Sequence, residues 1–270
     1  MDNKLRPYVA ELIGTFALVF VGAGAVCSTH LIAVQPPPYL TVVIAGLAEG
    51  FALAAGLAAT LNVSGGYLNP AVTLMLWVFK KLDGEKTAWL IGVQVLGAVL
   101  AGLVLRLIFS EQVLHAAQFG TPHLTTSLGV QRYTSPGMSQ LLTGIGIELV
   151  LTFVLTFVIL GTTIDPRRPR WGWLAVGLTQ AALILVAQQL TGAAANPARW
   201  LGPVLWELTI SSKALLDHAT YWIGPILGAL LAGGAYTMLI LPPEEEPVAE
   251  KTPARLGAPA RASTSTRTKK

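Results

Sequence analysis

Six long apolar runs set the limits on what this chain can become. They cover residues 8–28, 39–61, 87–109, 138–160, 173–190 and 220–241. A helix needs about 20 mainly apolar residues to cross the hydrocarbon core of a bilayer, so each run reads as a spanning helix. An outer-membrane barrel would instead alternate over segments of about ten residues. Charge is scarce to match: 12% of the chain is charged, against about 25% in soluble domains. Hydrophobic residues make up 53% and the mean hydropathy is +0.61. These values exclude a cytosolic globule, a disordered protein and, despite a pI near 9.3, a nucleic-acid binder. The single cysteine, Cys27, excludes an intramolecular disulfide, a cysteine zinc site and an iron–sulfur cluster. The first run contains Glu11, exceeds a signal-peptide core and lacks a cleavage site, so it is expected to be a retained helix.

Basic residues predict the orientation. Lys4 and Arg6 precede the first span; Lys80, Lys81 and Lys86 follow the second; Arg167, Arg168 and Arg170 follow the fourth. Lys251, Arg255, Arg261, Arg267, Lys269 and Lys270 lie beyond the sixth. With six spans all four segments share one side, and the other side's loops carry little beyond Arg132 and Lys213. The positive-inside rule therefore puts both termini in the cytoplasm. With no organelle-targeting segment, the expected location is the plasma (cell inner) membrane. The expected organisation is a short cytoplasmic N-terminus (1–7), a membrane unit (8–241) and a disordered basic tail (242–270).

The chain repeats itself. Glu11-Leu12, Thr15-Phe16, Leu18 and Phe20 recur in register as Glu148-Leu149, Thr152-Phe153, Leu155 and Phe157. Leu96-Gly97-Ala98 in span three matches Leu227-Gly228-Ala229 in span six. Three spans per half is odd, so repeat one (about 8–110) and repeat two (about 138–241) must insert with opposite topology. Inverted repeats are an architecture of transport proteins. The glycines of spans three and six suit close helix packing.

Each half also carries an Asn-Pro-Ala segment: Asn69-Pro70-Ala71 and Asn196-Pro197-Ala198. The apolar stretches that follow, 72–79 and 200–205, are too short to cross a bilayer. Asn is a good N-cap and Pro is favoured at the first helical position, so each segment is expected to start a half-helix. The inverted repeat brings one half-helix in from each side, with N-termini meeting near the midplane. Each N-terminus carries about half a positive charge, and two facing each other form a barrier to cations, protons included. Non-helical backbone at that depth is tolerated only where it is buried or lines a water-filled cavity.

Together, Ser64-Gly65-Gly66-Tyr67-Leu68-Asn69-Pro70-Ala71-Val72-Thr73 and Thr191-Gly192-Ala193-Ala194-Ala195-Asn196-Pro197-Ala198-Arg199 resemble the aquaporin (major intrinsic protein) family, with support from 10–15 and 222–225. The resemblance runs to about Leu241. It implies an all-α membrane protein with six transmembrane helices and two half-helices in a right-handed bundle, assembled as a homotetramer in the lipid bilayer with one pore per subunit. It implies a passive channel for water, without cofactor or metal and without enzymatic activity. Glu11 and Glu148 then correspond to glutamates that hold the loops before the half-helices. Arg199 corresponds to the arginine of the narrowest constriction, and ungapped spacing adds Glu49, Ile184 and Ala193. Ile and Ala at these positions are similar to the tonoplast-type and aquaporin-8-like branches, which have His where this chain has Glu49. Trp200 and Tyr221-Trp222 disfavour a glycerol-conducting facilitator.

Glu49 is the main departure from the family pattern. If it reaches the pore it faces Arg199, and the pair predicts a polar, near-neutral filter passing water and small neutral solutes such as ammonia, urea or hydrogen peroxide. Rotated away, it would bond to backbone or a neighbouring helix. Tyr67 stands where the family has a vestibule histidine and is a candidate to narrow the cytoplasmic half, as well as a candidate for simple packing. His123, in the loop before span four, is a second vestibule candidate. Cys27 is expected to be packing; with Ala193 at the usual mercury-sensitive position, weak mercury inhibition is expected. The alternative class is a proton-coupled transporter using Glu11, Glu49 or Glu148. No HExxH, GxSxG or phosphate-cradling glycine loop points to an enzyme.

Overall fold

A computed structural model describes residues 4–33 and 35–241; the expectations for the tail and for the first three residues lie outside this range. Among the described residues the regular structure is all helical, with no strand. The helices are α1 (Arg6–Ile32), α2 (Pro38–Thr60), α3 (Pro70–Val78), α4 (Gly84–Ile108), α5 (Glu111–Ala117), α6 (Met138–Ile159), α7 (Gly172–Ala187), α8 (Pro197–Glu207) and α9 (His218–Leu239). α3 and α8 are the two half-helices, and α5 is a short helix outside the repeat. Five helices are long and apolar enough to span a membrane: α1, α2, α4, α6 with its π-turn extension to Ile164, and α9.

The fifth predicted span is shorter than its apolar run. α7 has 16 residues and ends at Ala187, about 24 Å at 1.5 Å per residue. Beyond Ala187 the helix passes into a turn, in which Leu190 and Thr191 both donate to the Ala187 carbonyl and Gly192 to the Gln188 carbonyl. The chain leaves α7 at Gln188-Gln189 and enters the loop before α8.

Polarity is arranged inside out. Large apolar side chains such as Ile13, Phe51, Leu107, Val186 and Met238 face outward, where lipid replaces water as the solvent. The buried polar residues Glu11, Glu49, Gln94, Glu148, Gln180 and Arg199 line the interior. The two halves pack alike: α1 on α2 and α4, and α6 on α7 and α9. Each half-helix also packs on the third span of the other repeat, α3 on α9 and α8 on α4. α2 against α7 closes the ring. The tight crossings need glycine at equivalent places. A Cβ on Gly97 would come within 2.3 Å of the Leu12 carbonyl oxygen, and one on Gly228 within 2.3 Å of the Leu149 carbonyl oxygen.

Candidate functional site

The half-helix starts meet at the centre of the bundle. Asn69 and Asn196 have extended backbone and cap α3 and α8, each side-chain oxygen accepting the N–H two residues on, at 2.9 Å. Their amides then reach across the repeat. Asn69 Nδ2 donates to the Ala195 carbonyl and Asn196 Nδ2 to the Leu68 carbonyl, both at 2.9 Å. Each NH₂ carries two hydrogens, so one per asparagine is used in this exchange and the second is left for a solute.

The loops that present these asparagines are strained. Leu68, Ala193 and Ala195 have φ of 49°, 50° and 46°, a region that costs a residue with a Cβ about 1 kcal/mol or more. Buried carboxylates offset the cost. Glu11 accepts from Ser64 Oγ (2.6 Å), Tyr67 N (2.8 Å), Leu68 N (2.7 Å) and Gln94 Nε2 (2.8 Å). Glu148 accepts from Thr191 Oγ1 (2.6 Å), Ala194 N (3.1 Å) and Ala195 N (2.8 Å). Both are fully buried, and charged acceptors make the stronger class of hydrogen bond.

Glu49 and Arg199 lie together in the interior. Glu49 Oε2 accepts from Arg199 Nε at 2.9 Å, and both side chains are under 5% exposed. Arg199 Nη1 donates to the Gly120 carbonyl at 3.0 Å, so the guanidinium is held from two sides. Glu49 Oε1 accepts from Gln180 Nε2 at 3.0 Å. Room for the pair comes from Gly22 on α1, where a Cβ would lie 2.4 Å from Glu49 Oε2 and 3.0 Å from Arg199 Nε. Ile184 sits one turn beyond Gln180 on α7, and Ala193 lies in the loop before α8; both are buried. The sequence offered no signal for Gln180 or Gly22, since neither belongs to a motif and each matters only through Glu49 and Arg199.

Below the pair, a narrow cavity is lined by Glu49, Gln180, Asn69, Asn196, Leu53 and Tyr67, among others. A wider one, about 350 Å³, is lined by residues including Asn62, Lys81, Arg168 and Tyr67. Tyr67 stands in the wall of both. Its ring lies over Gly65, where a Cβ would meet it at 2.4 Å.

His123 sits between two acids. Its Nε2 lies 2.8 Å from Glu207 Oε2 and its Nδ1 3.0 Å from Asp217 Oδ2, so both ring nitrogens are occupied. Burial alone would lower its pKa, but hydrogen bonds to Asp217 and Glu207, together with their charges, lift it to about 10. The ring acts as a clamp between the two acids. It ties the loop after α5 to the ends flanking the α8–α9 connection, and Leu124 N adds a bond to Asp217 Oδ2 at 2.9 Å. Cys27 is fully buried within the core.

Comparison with known proteins follows the same lines. The family model described as "Major intrinsic protein" matches residues 2–236. The chain is 33% identical over 256 residues to "Probable aquaporin TIP3-2" of Arabidopsis thaliana, covering 91% of this chain and 87% of the relative. It is 36% identical to "Aquaporin AqpM" of Methanothermobacter marburgensis, covering 88% and 99%, and 34% identical to "Aquaporin Z" of Photorhabdus laumondii, covering 87% and 97%. Among solved structures, the aquaglyceroporin from Plasmodium falciparum superposes with a TM-score of 0.73 over 87% of this chain and 96% of its own, at 24% identity, a likeness of fold.

Proposed function

Because the chain belongs to the major intrinsic protein family and is therefore a transmembrane channel and not an enzyme, we propose that it passes water and small neutral solutes while excluding protons and ions. One observation carries the reading: the N-termini of α3 and α8 meet at Asn69 and Asn196, each bonded to the other's loop. A water at this junction receives donors from the two asparagines and meets two positive helix ends, so it cannot relay a proton along a hydrogen-bonded file.

The filter is formed by Glu49, Ile184, Ala193 and Arg199. With Glu49 paired to Arg199, it presents a near-neutral polar surface where a lone arginine would present a fixed positive charge. Ile184 and Ala193 add little bulk. Water, ammonia, urea and hydrogen peroxide are the fitting solutes, and Trp200 with Tyr221 disfavours glycerol. Glu11 and Glu148 act as loop scaffolds, and Tyr67 borders the cytoplasmic half of the path. A proton-coupled transporter would need glutamates that exchange protons with water on both sides, whereas Glu11, Glu49 and Glu148 are each engaged by buried donors. The working unit is residues 8–241, a homotetramer with one pore per subunit, spanning the plasma (cell inner) membrane with both termini cytoplasmic.

Stopped-flow light scattering on proteoliposomes tests the reading. Water efflux above that of empty liposomes is expected; its absence defeats the channel. Saturable uptake that collapses with the proton gradient would favour the transporter. Glu49→His and Glu49→Ala are expected to change solute-to-water permeability ratios, and unchanged ratios in both would remove Glu49 from the filter.

A further inference from the structure

A groove of about 270 Å³ opens where the end of α4, the short helix α5 and the end of α8 come together. It shares no lining residue with the cavity beside Glu49, Asn69 and Asn196. Leu114 and Phe119 are buried beneath it. Trp206 forms a wall, packed on α4 where Gly102 leaves room; a Cβ on Gly102 would come within 2.4 Å of the indole. The Trp206 N–H already donates to the Val99 carbonyl at 2.9 Å, so the ring offers the groove only apolar surface. Arg106 and Glu111 stand at the open edge, with side chains 37% and 74% exposed.

α4 sets the depth of this groove. Its charged residues are confined to its ends, Glu85 and Lys86 at one and Arg106 at the other, with none between. Lys86 and Arg106 are about 30 Å apart at 1.5 Å per residue, which is the thickness of the hydrocarbon core. Arg106 therefore lies where acyl chains give way to headgroups. Toward the core, α4 exposes Leu96 and Leu100, which face acyl chains.

The charges at the edge decide which headgroup fits. Arg106 Nη2 donates to Glu111 Oε1 at 2.8 Å. An exposed pair of this kind adds little to folding, and the guanidinium keeps further donors in a fork that matches phosphate. An anionic headgroup would bring a second uncompensated negative charge beside Glu111. A zwitterionic headgroup sets its phosphate on Arg106 and its ammonium on Glu111, so that four charges alternate in sign. A primary ammonium also donates hydrogen bonds to the carboxylate. We propose that this groove binds a zwitterionic phospholipid of the ethanolamine type, with its phosphate on Arg106, its ammonium on Glu111 and an acyl chain against Trp206. The site depends on membrane insertion and not on what the pore conducts.

Native mass spectrometry of the full chain in a neutral detergent tests it. Phosphatidylethanolamine and phosphatidylglycerol with the same acyl chains are titrated onto wild type, Arg106→Gln, Glu111→Gln and Thr209→Trp. Thr209 is exposed at the groove, and a Trp there fills it while leaving both charges in place. Wild type is expected to bind the first phosphatidylethanolamine about five-fold more tightly than the first phosphatidylglycerol. Loss of one charge-assisted contact predicts phosphatidylethanolamine binding about five-fold weaker in each charge variant. Glu111→Gln should also lose the preference over phosphatidylglycerol, and Thr209→Trp should weaken both lipids. Equal affinities in wild type overturn the site, as does a preference that survives in Glu111→Gln or wild-type phosphatidylethanolamine binding in Thr209→Trp. A change in subunit number when the groove is filled would give it to a second copy of the chain, and the lipid site falls.

Discussion

At the scale of the residue, the Glu49–Arg199 pair depends on what its neighbours lack as much as on what they supply. Gly22 gives the carboxylate and guanidinium a place to meet; a Cβ there would stand 2.4 Å from Glu49 Oε2, well inside contact distance. Gly22→Ala is therefore expected to push the pair apart or bend α1. Overpacking of this kind costs about 1–3 kcal/mol, and it should appear as a lower unfolding midpoint in detergent together with altered solute-to-water permeability ratios. A variant with wild-type stability and ratios would show that the pair tolerates displacement. Much of this site was legible in the sequence. Counting back from Asn69 places Glu49, and counting on from Asn196 places Arg199, because helices and the half-helix start fix the register. What could not be read was the pair's support. Gln180 is 131 positions from Glu49 along the chain, and Gly22 acts only by absence. Neither leaves a local pattern for periodicity or spacing to detect.

At the scale of the element, the loop after α5 holds Arg199 through the Gly120 carbonyl, and the His123 clamp holds the loop. The clamp is pH-dependent in a definite sense. The folded pKa of His123 is raised to about 10, above an unfolded value of about 6.5. Its stabilising contribution is thus complete below about pH 6.5, declines as pH rises, and is lost above pH 10. A ten-fold gain in proton affinity is worth about 1.4 kcal/mol, so the protonated clamp contributes on the order of a few kcal/mol. His123→Gln should lower the unfolding midpoint strongly at pH 6.5 and little at pH 10, so the gap between variant and wild type closes with rising pH. A gap independent of pH would mean that the ring is neutral. The sequence could not show this clamp. It marked His123 as a vestibule candidate, but the acids that claim the ring lie 84 and 94 positions away. The half-helices were readable because their signals are local: an Asn cap, a Pro in the first turn and a short apolar run. The end of α7 at Ala187 was read three residues late, at Leu190, because a helix that passes into a turn leaves no sharp local signal.

At the scale of the whole molecule, the two repeats are interlocked. The recurring Glu, Leu, Thr and Phe of spans one and four make the repeat visible in the sequence. They do not say that α3 would pack on α9 and α8 on α4, because like faces within a repeat carry the same pattern as faces across it. The central exchange makes the consequence measurable. Asn69 anchors the loop before α8, and Asn196 anchors the loop before α3. Removing either amide loosens the loop that carries the other asparagine, so the second bond is already weakened when it is deleted. Asn69→Ala and Asn196→Ala should each cost about 1–2 kcal/mol, in the range for loss of a helix cap. The double variant should lose less than their sum, by at least about 0.5 kcal/mol, the scale at which directly coupled sites depart from additivity. Unfolding midpoints of the four proteins in detergent close the cycle, with water permeability measured on the same preparations. Strict additivity would mean that each half-helix is positioned by its own repeat, in which case the meeting of the two N-termini is a coincidence of packing and not a shared structure.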